Sequence, residues 1–96
     1  VIKQLTIICS SELSEVVGKV LTKSGAPGFA RFDGTGTNIL EKSSMYRELT
    51  WPSCVYIVPG EEDKLRWIID RLKAHAGKCS AEPCLKLILS PVEEFY

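Results

Sequence analysis

Two segments of this 96-residue chain bring reactive or ligand-binding groups close together. The first is Gly77-Lys78-Cys79-Ser80-Ala81-Glu82-Pro83-Cys84. Its two thiols, in a polar loop, have three readings: unlinked side chains with Cys84 opening a strand, a small disulfide, or, with His75, three ligands for a zinc-like ion. Closing so short a loop costs little chain entropy, so a relaxed Cys79–Cys84 bond would contribute on the order of 2–3 kcal/mol. The second is Gly34-Thr35-Gly36-Thr37. Glycines let backbone N–H groups approach an anion, and the hydroxyls add donors. The same residues also suit a plain turn at a strand end.

The remaining reactive groups point away from catalysis. Cys9 and Cys54 sit in apolar stretches and read as buried, reduced core thiols. They are expected to stay inert while Cys79 and Cys84 respond to oxidation as a pair. His75, near Lys73 and Lys78, reads as a solvated side chain at a helix end. No Ser, Cys or Thr lies in an elbow motif that would make His75 its base. The carboxylates gather at helix starts and in the tail. The chain is therefore not expected to be an enzyme, and its residues name no cofactor.

The elements that must position these groups follow from periodicity. Ile2 to Cys9 alternates, with Leu5, Ile7 and Cys9 on one face of a strand. Ser10 and Ser11 offer capping hydroxyls. Leu13, Val16, Val17, Val20 and Leu21 then recur at helical spacing, with Glu15 and Lys19 paired on the exposed side. Gly25 and Pro27 stop that helix. Gly28 to Asp33 reads as a second strand carrying Phe29 and Phe32. Residues 37–50 are polar and aperiodic, and are expected to form a long connection that is mobile until a ligand or partner binds. Trp51 to Val58 reads as a central strand buried on both sides and ended by Pro59-Gly60. A second helix carries Leu65, Ile68, Ile69, Leu72 and Ala76, and Gly77 closes it. Leu85, Leu87 and Leu89 make the last strand.

The order β-α-β-β-α-β in one 1–96 domain predicts an α+β, ferredoxin-like sandwich: a four-stranded antiparallel sheet with two helices on one face. Thr6, Tyr56 and Ile88 are assigned to the uncovered face, whose apolar part calls for burial in an oligomer.

Composition removes several functions hosted by such folds. Twelve basic and twelve acidic residues cancel, which leaves no electrostatic footprint for nucleic acid or an anionic membrane. Tyr56 is not paired with a second base-stacking aromatic. The first strand-to-helix turn has one cysteine, Cys9, where metallochaperones of this fold have two. It has Ser10-Ser11-Glu12 where an acylphosphatase would need a phosphate loop. No apolar run approaches the ~20 residues of a membrane span. The alternating start shows no signal-peptide pattern, and the cysteine usage suits a cytoplasmic protein.

The chain resembles the PII-like signalling proteins, the superfamily of the nitrogen-regulatory PII proteins and their shorter relatives. The residues that carry the resemblance are Leu5-Thr6-Ile7-Ile8-Cys9, Ser24-Gly25-Ala26-Pro27-Gly28-Phe29, Phe32-Asp33-Gly34-Thr35-Gly36, Ile68-Ile69-Asp70-Arg71-Leu72-Lys73 and Leu87-Ile88-Leu89-Ser90-Pro91-Val92-Glu93. The resemblance implies a homotrimer with its sheets facing inward. It implies a small effector, commonly an adenine nucleotide, in intersubunit clefts lined by Gly34, Thr35, Gly36, Thr37, Gly77 and Lys78. It also implies a flexible T-loop, here 37–50 with Met45, Tyr46, Arg47 and Leu49, that engages a partner transporter or enzyme. The chain departs from the nitrogen-regulatory members in two places. Cys79 to Cys84 replaces their second glycine-rich phosphate run, and Ser90 to Glu94 replaces their terminal arginines. The context of Tyr46 does not match their modification site. The alternatives are a metal- or redox-responsive member using Cys79, Cys84 and His75, and a structural adaptor with no ligand.

Overall fold

The computed structural model describes the backbone at 1–42, 45–75 and 85–96, with side chains at all of these except 38–42 and 45–49. Strand β1 (Ile2–Ser10) leads through a 3-10 turn, Ser11–Leu13, into helix α1 (Ser14–Lys23). Strands β2 (Ala30–Lys42) and β3 (Met45–Glu61) follow, then helix α2 (Glu62–Lys73) and strand β4 (Leu85–Pro91). All pairings in the four-stranded sheet are antiparallel, in the order β2-β3-β1-β4. This is the expected ferredoxin-like α+β arrangement.

Local chemistry sets the helix ends. Ser10 Oγ accepts a hydrogen bond from the Glu12 amide at 3.3 Å and opens the turn before α1. Gly25 takes φ 77°, the left-handed value expected of a residue just past a helix. Lys64 Nζ donates to the Gly25 carbonyl at 3.0 Å, tying the end of α1 to the start of α2. Glu62 and Asp63 occupy the first turn of α2, and Arg71 and Lys73 the last, each complementing the helix dipole.

The core lies between sheet and helices. Leu5, Ile7 and Cys9 of β1 and Cys54, Tyr56 and Val58 of β3 face Leu13, Val17, Leu21, Leu65, Ile68 and Leu72. Leu85, Leu87 and Leu89 pack at its edge.

Four expectations about β2 and β3 are corrected. Residues 37–42 and 45–50 are not an irregular connection. They extend the two strands as an antiparallel ladder running from Thr37↔Thr50 to Lys42↔Met45. A ladder satisfies backbone groups whatever its side chains, so the pairing by itself requires no alternating pattern. The long hairpin accompanies a principal axis of 48 Å in a molecule 27 and 20 Å across the others. Strand β3 does not stop at Pro59-Gly60, because both residues continue the pairing with β1, opposite Gln4 and Lys3. Nor is it buried on both sides: Val55 and Ile57 are half-exposed on the face without helices. Tyr56 also changes face. It is 1% exposed on the helix side and donates its hydroxyl to the Ser14 carbonyl at 3.3 Å. The run Cys54-Val55-Tyr56-Ile57-Val58 is apolar throughout, so its sequence carries no marker of which parity faces the helices.

Candidate functional site

The uncovered sheet face is built by register. Across the strands, Ala30, Ile57, Thr6 and Ile88 form one row, and Phe32, Val55 and Ile8 form the next. Ile88 is 46% exposed and Phe32 57%. Thr6 and Ile88 lie where the sequence assigned them. Apolar side chains gathered on one sheet face in this way suit burial against another surface.

Two depressions open along this face. One, of about 190 Å³, is lined by Phe32, Asp33, Gly34, Thr35, Ser53 and Val55. The other, of about 420 Å³, is lined by Pro27, Gly28, Phe29, Ala30, Ile57 and Pro59. The first contains two of the predicted ligand residues, Gly34 and Thr35. Gly36 and Thr37 follow within the same strand, opposite Trp51 and Thr50. The segment is therefore extended strand and not a turn. Gly36 also has a packing role: a Cβ built on it would lie 2.5 Å from Nε1 and 2.6 Å from Cε2 of the Trp51 indole. The ring crosses the space that the missing side chain leaves. Gly77, Lys78, Cys79 and Cys84 lie outside the described residues. Met45, Tyr46, Arg47 and Leu49 fall in the distal part of β3, with side chains outside the description.

On the helix side, where β2 meets β3, the structure assembles a polar cluster that the sequence reading missed. Arg31 Nε donates to Asp33 Oδ1 at 2.8 Å, and Arg31 Nη2 reaches Cys54 Sγ at 3.5 Å. The guanidinium stands 5.8 Å from the centre of the Tyr56 ring. The available signal was parity: Arg31 and Asp33 are two apart in a strand and so share a face. The hydrogen bond from Arg31 holds the Asp33 carboxyl below its usual range. Burial, and then a hydrogen bond to Asp33, push the Cys54 thiol up. Cys9 and Cys54 are directly opposed across β1 and β3, free and 1% exposed. Burial, reinforced by Cys54, lifts the Cys9 thiol to about 11, while Arg31 pulls it back. Thiols held protonated in this way are poor nucleophiles. The cluster joins β2 to the core and offers no activated group.

The sign of the Cys9 shift gives a test. Its folded value lies above the unfolded one, so the stabilising contribution is complete below the unfolded value of 9.0 and is lost as pH rises toward about 11. The expected loss between those limits is on the order of 2 kcal/mol. Urea melts at pH 8 and pH 11, compared with those of Cys9→Ala, should give a smaller alkaline loss in the variant. An equal loss would assign the effect to other groups.

No protein-family model and no curated protein sequence matches the chain. Solved structures do match. The GlnK–ATP complex of B. subtilis superposes with a TM-score of 0.72 at 10% identity, covering 92% of this chain and 78% of that one. The chain has the PII-like fold. A DUF3240 family protein from Shewanella baltica superposes with a TM-score of 0.69 at 12% identity, over 99% of this chain and 93% of the other. The periplasmic divalent cation tolerance protein CutA from Archaeoglobus fulgidus gives 0.67 at 22% identity, over 100% and 88%. These superpositions establish the PII-like fold alone and leave its use to the site. Among the described residues no helix is long and apolar enough to cross a membrane, and no group of three metal-ligating side chains converges.

Proposed function

We propose that the protein is a homotrimeric, non-catalytic PII-like regulator that binds a small effector between its subunits and acts on a partner through the β2–β3 hairpin. The observation that carries this reading is the position of the Gly34–Thr35 depression. It opens on the apolar face that has no helices, so a second copy covering that face would turn a shallow hollow into a cleft. Effectors bind best where walls from two bodies meet. Gly34, Thr35, Gly36 and Thr37 form one wall in this proposal, and Gly77 and Lys78 contribute from the segment after α2. The hairpin, with Met45, Tyr46, Arg47 and Leu49 toward its tip, is the arm that meets the partner, a transporter or an enzyme in the cytoplasm.

The test is a thermal-shift screen with adenine nucleotides, bicarbonate and divalent cations under reducing conditions. A ligand at 100 times its Kd stabilises by about 2.7 kcal/mol, a shift on the order of 10 °C for a chain of this size. The expected result is such a shift from a nucleotide or another small anion, with slower amide exchange across 37–50. A shift from divalent cations alone would favour a metal-responsive protein. Silence from every ligand would leave a structural assembly.

A further inference from the structure

The helix side of the molecule carries a second feature, separate from the uncovered sheet face. A groove of about 310 Å³ runs between α1 and α2, lined by Lys19, Val20, Lys23, Trp67, Arg71 and His75. Its floor is the half-buried indole of Trp67, with the Arg71 guanidinium 4.8 Å from the ring centre. Lys19 shares its charge with Glu15 at 3.3 Å, but neither Lys23 nor Arg71 has an ion-pair partner among the described residues. No carboxylate lines the groove among those residues. It is a cationic slot with an aromatic floor, on a chain whose formal net charge is zero.

The compensating feature stands at the end of β4. Beyond Pro91 the chain continues as Val92-Glu93-Glu94-Phe95-Tyr96, two carboxylates followed by two aromatic rings. Phe95 is 57% exposed and Tyr96 fully so, and the Tyr96 hydroxyl has only Glu94 as its hydrogen-bond partner among the described residues. Two large rings left in water are costly, and acids beside them complement the groove in both charge and shape. β4 is an edge strand, so its tail leaves at the margin of the sheet. Residues 92–96, fully extended, span about 18 Å. The tail does not line its own groove in this structure.

We propose that the 92–96 tail of one copy docks in the α1–α2 groove of a second copy. Glu93 and Glu94 meet Lys23 and Arg71, and an aromatic ring covers Trp67. The contact is heterologous, a tail on one copy and a groove on the next, and such contacts close into a ring when the rotation permits. It rests on the assembly proposed above only in requiring a second copy. It leaves the sheet face free for the main interface.

The test is zero-length carbodiimide cross-linking of a mixture of isotopically heavy and light full-length chains, with sedimentation run in parallel. The Glu15–Lys19 pair within each chain is an internal control for fold and reagent. Links from Glu93 or Glu94 to Lys19 or Lys23 should appear, with mixed-isotope pairs among them, and should fall at least tenfold in Arg71→Glu. A tail carrying Glu93→Lys and Glu94→Lys should restore tail–groove association to the Arg71→Glu, Lys23→Glu protein, read as slower amide exchange around Trp67. An assembled protein without these links would overturn the tail contact and leave the assembly standing. Links confined to single chains would overturn the exchange between copies. A single-chain mass with no mixed pairs would overturn both. If pyrophosphate quenches Trp67 while no tail link forms, the groove is an anion site and the tail assignment fails.

Discussion

Ile57→Glu is expected to release single folded chains of 10.7 kDa, where the parent is expected to sediment at about three chain masses. Ile57 lies on the central strand β3, with Ala30 on one side and Thr6 on the other, in the middle of the uncovered face. In an isolated chain its side chain is half-exposed, so a glutamate there still reaches water and costs the fold little. In an assembly the same carboxylate would be enclosed among apolar side chains with no cation facing it on its own sheet rows except Lys86, opposite Ile8. Enclosing an unpaired charge costs several kcal/mol. About 4 kcal/mol raises a dissociation constant roughly a thousandfold, enough to abolish association at micromolar concentration. Sedimentation equilibrium with a circular dichroism melt decides the matter. A variant that remains at three masses would move the interface off this face. A parent that sediments as one chain would remove the assembly itself.

The parts of the fold legible in the sequence were those where one face of an element is buried. Leu5, Ile7 and Cys9 alternate with Thr6 and Ile8 because β1 has helices on one side only. Val17, Leu21, Leu65, Ile68 and Leu72 recur at helical spacing for the same reason. Burial imposes a period, and a period can be read. Gly25 was legible because a helix end demands a left-handed residue, and glycine supplies one at little cost.

Elsewhere the sequence carried no such constraint. Residues 37–42 and 45–50 pair through their backbones, and backbone pairing does not ask for particular residue types. Their polar composition therefore looked like a loop. The apolar run from Cys54 to Val58 gave a strand without a face, and Tyr56 was placed on the wrong side. Arg31 and Asp33 are exposed charged residues whose pairing becomes visible only once β2 is known to be a strand there. Of the candidate site, the Gly34–Thr35 wall was read from residue types that also fit a turn, and the structure makes it strand. The thiol pair Cys79 and Cys84 lies outside the described residues, and its pairing keeps the status of a sequence expectation.

Gly36 separates two meanings of a glycine, and its substitution should show a reversal of sign. In the parent, Gly36→Ala is expected to destabilise by about 1–3 kcal/mol, because its Cβ must displace a packed indole ring. That Cβ would stand 2.5, 2.6 and 2.9 Å from Nε1, Cε2 and Cζ2 of Trp51, closer than carbon tolerates. The backbone itself raises no objection, since among the described glycines only Gly25 has a positive φ. Once Trp51→Ala has removed the ring, the same Gly36→Ala change should stabilise by roughly 0.5–1 kcal/mol, because alanine loses less freedom than glycine on entering a strand. A thermal-melt double-mutant cycle reads the coupling directly, and about 1 kcal/mol corresponds to a shift of roughly 4–8 °C for a chain of this length. A red shift of Trp51 emission in the single Gly36→Ala variant would report the ring leaving its seat. If Gly36 instead serves only as a backbone cradle for an anion, the substitution raises the melt by the same roughly 0.5–1 kcal/mol in both backgrounds, with no reversal of sign, and weakens ligand binding. A loss of stability that persists at full size without Trp51 would trace the constraint to the strand and not to the indole that crosses it.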